Sequence, residues 1–136
     1  MDPKSFIPHR EPFLLVDEVT EIEPGLAARG YWIPSATLPV FAGHFPGQPT
    51  LPGVYIVESL AQLGACALLA DPRYAGKLPL FGGIDRARFR RQVLPEDKLD
   101  LEVNLGSLSS RSGKGKGTAS VNGAVACEVD FFFIIA

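Results

Sequence analysis

Three features of the sequence predict an α+β fold in which an antiparallel sheet wraps one long central helix. Residues 54–69 form a run that is apolar on almost every face, interrupted by Glu58, Ser59 and Gln62. A helix of that kind must be covered on most sides, by the sheet or by a second subunit. Residues 80–135 then read as strands, with alternation clearest where Leu99, Leu101, Val103 and Leu105 oppose Asp100, Glu102 and Asn104. Between the first strands and the helix, prolines at 34, 39, 46, 49 and 52 and glycines at 43, 47 and 53 exclude a long helix or a central strand. A shaped loop of that length inside a domain is usually functional.

Taken in order, residues 1–12 form an irregular arm, since Pro3, Pro8 and Pro12 oppose regular structure. Residues 13–23 fit a strand, with Leu15, Asp17 and Val19 on one face and Leu14, Val16 and Glu18 on the other. Pro24-Gly25 turns the chain into a second strand over 26–33, completing a hairpin. Pro52-Gly53 suits the helix start, and Asp71-Pro72 with Gly76 closes it. Four strands follow at about 80–92, 97–108, 113–122 and 124–135, read as an antiparallel meander. Asn122-Gly123 is the tight turn of its last hairpin. With no repeat, linker or low-complexity tract, residues 1–136 read as one domain.

A hydrophobic fraction of 46%, a charged fraction of 21% and a net charge of −2 describe a globular protein with no overall bias toward nucleic acid or anionic membrane. The opening MDPKSFIPHREPF lacks an apolar core of signal-peptide length, and the long apolar run is broken by polar residues, so the expected location is the cytoplasm. Cys66 and Cys127 read as reduced, packed thiols. Two histidines and two cysteines at unrelated spacings carry no metal-site signature, and no cofactor is implied.

Two polar residues stand out. Glu58 is the one charged residue between Val54 and Ala70, and Gln62 follows on the same helical face. The bland reading is a helix-edge carboxylate facing water. The functional reading is a desolvated carboxyl that keeps its proton and can donate it, oriented by Gln62. His44 lies in Gly43-His44-Phe45-Pro46-Gly47, where proline geometry and apolar neighbours would fix an imidazole. His9 lies in the arm with no acid partner evident and reads as structural. A fixed base and a protonated acid together suit β-elimination: the base takes the proton alpha to a thioester carbonyl and the acid protonates the departing β-hydroxyl. The backbone N–H of Gly53, unpaired at a helix start and favoured by the dipole, suits the developing enolate oxygen.

The run Gly43-His44-Phe45-Pro46-Gly47-Gln48-Pro49-Thr50-Leu51-Pro52-Gly53-Val54, continuing to Glu58-Ser59-Leu60-Ala61-Gln62, resembles the active-site segment of 3-hydroxyacyl-ACP dehydratases of the FabZ type. Ile7-Pro8-His9-Arg10 with Pro12 to Asp17, and Phe81-Gly82-Gly83-Ile84-Asp85 with Ala87-Arg88-Phe89, are similar to two further segments of that family. The resemblance implies a hot-dog fold and conversion of (3R)-3-hydroxyacyl-ACP to trans-2-enoyl-ACP in acyl-chain synthesis. It implies His44 as catalytic histidine, Glu58 as catalytic acid, the Gly53 amide on the thioester carbonyl, Gln62 beyond the acid, and the Thr50 carbonyl holding the imidazole. It also implies a homodimer with His44 of one subunit facing Glu58 of the other, and further assembly as a trimer of dimers. Two positions depart from the family pattern: Glu11 replaces a frequent tyrosine, and Glu96 a frequent glycine in Pro95-Glu96-Asp97. Glu at position 58 is similar to the dehydratase-only branch rather than the relative that also isomerises the double bond.

Arg86, Arg88, Arg90 and Arg91 cluster in an otherwise acidic chain. They read either as a solvated strand face or as a docking surface for the acidic acyl-carrier protein. Competing functions are a hot-dog thioesterase, for which a paired base and acid is an odd choice, and a non-catalytic acyl-thioester-binding protein, which needs neither His44 nor Glu58.

Overall fold

The computed structural model describes residues Met1–Ala136. Strands β1 (Glu18–Glu23) and β2 (Ala27–Trp32) precede a single helical turn, α1 (Val40–Gly43), and the long helix α2 (Gly53–Leu69). Strands β3 (Pro79–Phe89), β4 (Leu99–Gly106), β5 (Ser112–Val121) and β6 (Ala124–Ile135) follow. All pairings are antiparallel, in one six-stranded sheet ordered β1-β2-β4-β5-β6-β3. No helix is long and apolar enough to cross a membrane.

Every residue of α2 from Ser59 to Leu68 is buried, and the helix packs on all six strands. The sheet curls around it as the apolar periphery requires. Its core partners include Val19, Ala28, Leu101, Val103, Phe131 and Phe133. Packing leaves no room at β2, where a Cβ on Gly30 would lie 2.2 Å from the Glu18 carbonyl oxygen and 3.3 Å from a Leu63 methyl. One of those neighbours is backbone and cannot rotate away. Gly30→Ala is therefore expected to cost about 3 kcal/mol, read as a lowered urea midpoint at unchanged slope.

The expected four-strand meander is corrected in one respect. β4, β5 and β6 are consecutive, but β3 pairs with β6 at the far edge, and β4 pairs with β2. The helix delivers the chain to the edge opposite β2, and residues 90–98 bring it back. That return segment is pinned to the proline-rich loop: Leu51 N–H donates to Val93 O at 2.8 Å, and Glu96 N–H to Pro34 O at 2.8 Å. The loop also holds a helical turn, α1, that its proline content argued against only at greater length. Asn122 and Gly123 take φ of 50° and 81°, as a tight hairpin turn demands.

Glu96 has φ of 70°, the left-handed region that favours glycine, which accounts for a frequent glycine there. Here the side chain gives something in return, because Glu96 Oε2 accepts the Ala36 N–H at 2.6 Å and ties down the start of the loop. Cys66 and Cys127 are buried free thiols. Burial pushes them up to about 12 and about 11, so neither supplies a reactive thiolate.

Candidate active site

Residues 13–17 were expected to extend the first strand, yet β1 begins only at Glu18. At Phe13 and Leu15, side chains of α2 take the place of a strand partner. Gln62 accepts the Leu15 N–H on Oε1 at 2.8 Å and donates from Nε2 to Phe13 O at 2.8 Å, while Ser59 Oγ donates to Leu15 O at 2.7 Å. Satisfying these groups explains how Ser59 and Gln62 stay buried in an apolar helix. It also stretches the N-terminal arm along the helix face that bears Glu58.

The remaining Gln62 N–H donates to Glu58 Oε2 at 3.0 Å, the orienting bond expected from their spacing. The Glu58 side chain is 19% exposed. Burial raises its proton affinity above the ordinary carboxylate range, and the Gln62 bond opposes that only in part. His9, expected to be merely structural, proves to be the neighbour of this acid: its Nε2 lies 4.0 Å from Glu58 Oε2. Nothing in the local sequence signals this contact, because it depends on the arm being laced to α2 by residues far along the chain.

His44 follows α1 and is held at both ends. Its N–H donates to Val40 O at 3.0 Å, and its carbonyl accepts the Thr50 N–H at 2.9 Å. The ring Nδ1 lies 2.9 Å from Thr50 O, and the ring stacks on Phe45 with centroids 4.0 Å apart. A carbonyl oxygen only accepts, so Nδ1 carries the hydrogen and Nε2 keeps its lone pair. The imidazole is thus fixed in the tautomer of a base. Gly53 is the first residue of α2, preceded by Pro52 at the cap, so its N–H has no partner within the helix. The Phe89 ring covers its Cα, and a Cβ there would lie 2.6 Å from that ring. A cleft of about 450 Å³ opens beside it, lined by Leu51, Gly53, Val54, Phe89, Arg90 and Arg91 among others.

The expected residues do not gather in a single pocket of one chain. Gly53 and Glu58 are five residues apart on one helix, so they point about 140° apart. Gly53 faces Phe89, whereas Glu58 faces the arm. Val54, one turn before Glu58 on the same face, is 70% exposed. The arginine cluster is largely met by acids. In the β3–β6 register Arg86 stands opposite Asp130 and Arg88 opposite Glu128, and Arg90 Nε donates to Glu128 Oε1 at 2.9 Å. Nowhere do three or more His, Cys, Asp or Glu side chains converge as a metal site would need.

The FabA-like domain model matches residues 7–130, a span that contains the second half of the arm, the loop, the helix and all six strands except the last residues of β6. The chain belongs to the FabA-like family. It is 53% identical over 131 residues to a 3-hydroxyacyl-[acyl-carrier-protein] dehydratase FabZ of Chloroflexus aggregans, covering 96% of this chain and 91% of that one. It is 51% identical to the FabZ of Pelotomaculum thermopropionicum over 97% of this chain and 94% of its relative. Among solved structures, the dehydratase heterocomplex ApeI:P of Xenorhabdus doucetiae matches with a TM-score of 0.79 at 18% identity, over all of this chain and 91% of that one. At that identity the likeness bears on fold alone, and the fold is the hot-dog fold. FabA-like membership thus agrees with the helix, the sheet and the loop described above.

Proposed function

We propose that this chain dehydrates (3R)-3-hydroxyacyl groups carried on an acyl-carrier protein to trans-2-enoyl groups, with His44 as base and Glu58 as acid, at a site completed by a second copy of the chain. The chemistry rests above all on Glu58: a carboxyl desolvated on an apolar helix holds its proton more tightly than an ordinary carboxylate, and the Gln62 amide orients it to give that proton up. His44 Nε2 removes the proton alpha to the thioester carbonyl, and that electron pair becomes the new double bond. The β-carbon–oxygen bond breaks, and the hydroxyl leaves as water with the proton of Glu58. The Gly53 N–H and the helix dipole stabilise the negative charge on the carbonyl oxygen meanwhile. Solvent then returns a proton to Glu58 and takes one from His44. No cofactor takes part.

A second copy is supported by the uncovered apolar surface. β3 is an edge strand of 11 residues, and Leu80, Phe81, Ile84 and Phe89 on it are all exposed. A long apolar edge is a hazard unless paired, and a two-fold pairing of β3 with β3 would close it. Further assembly into a trimer of dimers is part of the same proposal. So is a setting in the cytoplasm.

Docking of the carrier protein is assigned to Arg86, Arg88, Arg90 and Arg91. Of these, Arg90 and Arg91 line the cleft at Gly53, and Arg90 is paired with Glu128 whereas Arg91 makes no ion pair. Arg91→Glu is expected to lower kcat/KM about 10-fold on carrier-linked substrate and to leave a small synthetic thioester unaffected. An equal effect on both substrates would remove the docking role.

The test of the activity follows enoyl absorbance and free thiol together, with purified protein and 3-hydroxybutyryl and longer acyl thioesters. Enoyl product that depends on His44 and Glu58 is the expected result. Free thiol without enoyl would identify a thioesterase, and no turnover at any chain length a binding protein.

A further inference from the structure

Beside Glu58, the arm supplies a histidine that the elimination chemistry above does not use. His9 is three-quarters covered, with 24% of its side chain exposed. Its Nδ1 is buried and has no hydrogen-bond partner. A buried N–H without an acceptor costs more than a buried lone pair without a donor. The ring hydrogen is therefore on Nε2, the nitrogen 4.0 Å from Glu58 Oε2. A charged imidazole would need a second hydrogen on the orphaned Nδ1. Burial and the neighbouring Arg10 both lower the proton affinity of the ring accordingly.

The other groups near this pair leave His9 and Gln62 as its only close donors. On its own helix Glu58 meets Gln62 and Val54. From the arm, Arg10 is turned away, donating from Nη1 to Ile7 O at 2.9 Å and His9 O at 2.7 Å. Glu11 is exposed and paired with Lys4 at 3.0 Å. Two N–H groups, those of Gln62 and His9, thus lie beside one carboxyl oxygen, Oε2, with nitrogens at 3.0 and 4.0 Å. At 4.0 Å the His9 contact is too long for a hydrogen bond and acts on the oxygen electrostatically. An oxygen facing two donors is the acceptor of the carboxyl, and the acidic hydrogen belongs on its partner, Oε1.

We propose that His9 is a positioning residue for Glu58: its neutral imidazole, with Gln62, holds Oε2 as the acceptor oxygen so that the carboxyl presents its proton on Oε1 to the departing hydroxyl. The choice of a neutral donor matters. A permanent cation in the same place would pull the proton off Glu58, and an apolar residue would let the carboxyl turn. This inference rests on Glu58 being the acid of the dehydration.

The experiment uses the full chain with three replacements at position 9 and Glu58→Gln as reference, assayed on 3-hydroxybutyryl thioester across pH, with thermal melts for each. His9→Leu is expected to lower kcat about 10-fold with KM within about 2-fold. His9→Gln, whose amide N–H reaches the place of Nε2, should stay within about 3-fold of the parent. His9→Lys should move the limb on which kcat is lost with rising pH about one unit lower, because a cation favours the ionised carboxylate. A parental kcat in His9→Leu, or an unmoved limb in His9→Lys, overturns the proposal. So does an equal kcat loss in the Leu and Gln variants, which marks a packing role. Should His9→Leu not fold, the Gln rescue and the Lys profile decide. If Glu58→Gln itself keeps parental turnover, the acid has been misassigned and the reading of the site fails before that of His9.

Discussion

Replacing His44 by alanine is expected to lower kcat by about 10³-fold, with KM changed only a few-fold. The ring is fixed by Thr50 O on one nitrogen and by stacking on Phe45, and its free nitrogen is the only base the loop offers. Glu58→Gln is expected to cost about 10²- to 10³-fold, since an amide of the same shape has no proton to give and the hydroxyl would have to leave as hydroxide. The pH dependence follows from the same group. The acid works only while protonated, so kcat falls as pH rises through a Glu58 pKa raised by burial. The linkage has the same sign for stability. A carboxyl whose folded pKa is raised above the unfolded value costs stability as pH rises through that interval. The neutral amide of the Glu58→Gln variant escapes that cost, so this protein should melt no lower than the parent above that interval, and its lost activity cannot be assigned to unfolding. Steady-state enoyl absorbance with parallel melts checks both. Turnover within about 10-fold of the parent in His44→Ala would leave the loop without its catalytic role.

The helix and its misplaced polar pair were legible because they are local. A 16-residue apolar run needs covering whatever follows it, and Glu58 and Gln62 share a face by spacing alone. The hairpin at Asn122-Gly123 was local in the same way. Three features were not. Residues 13–17 alternate like a strand, but the Phe13 carbonyl and both backbone groups of Leu15 are met by side chains of Ser59 and Gln62, more than 40 residues on, and no periodicity encodes that. Strand order is equally non-local. Alternation in residues 80–92 says that β3 is a strand, not that the helix has carried it past β6. The contact of His9 is the third. Beside two prolines and an arginine it looks structural, and its tie to Glu58 exists only because Gln62 draws the arm onto the helix. The one available signal was the family resemblance of the arm itself, which marked Ile7 to Arg10 as a unit without saying what the histidine meets.

Mixing two inactive variants is expected to restore activity. If His44 of one subunit serves Glu58 of its partner, a dimer of one His44→Ala chain and one Glu58→Gln chain has one site with both replacements and one with neither. Random exchange makes half of all dimers mixed, each with one intact site of two, so the mixture should recover roughly a quarter of parental activity from parents near zero. If both residues served one site within a single chain, every site would carry a replacement and the mixture would stay inactive. The divergence of Gly53 and Glu58 around α2, and the exposure of Val54 on the Glu58 face, favour the first outcome. The same geometry predicts what a broken interface does. Ile84→Arg places a charge on the apolar edge of β3 and should give monomers by sedimentation, with turnover lost although each chain still holds His44, Gly53 and Glu58. A monomeric Ile84→Arg protein with parental kcat would show that one chain suffices, and complementation would then fail with it.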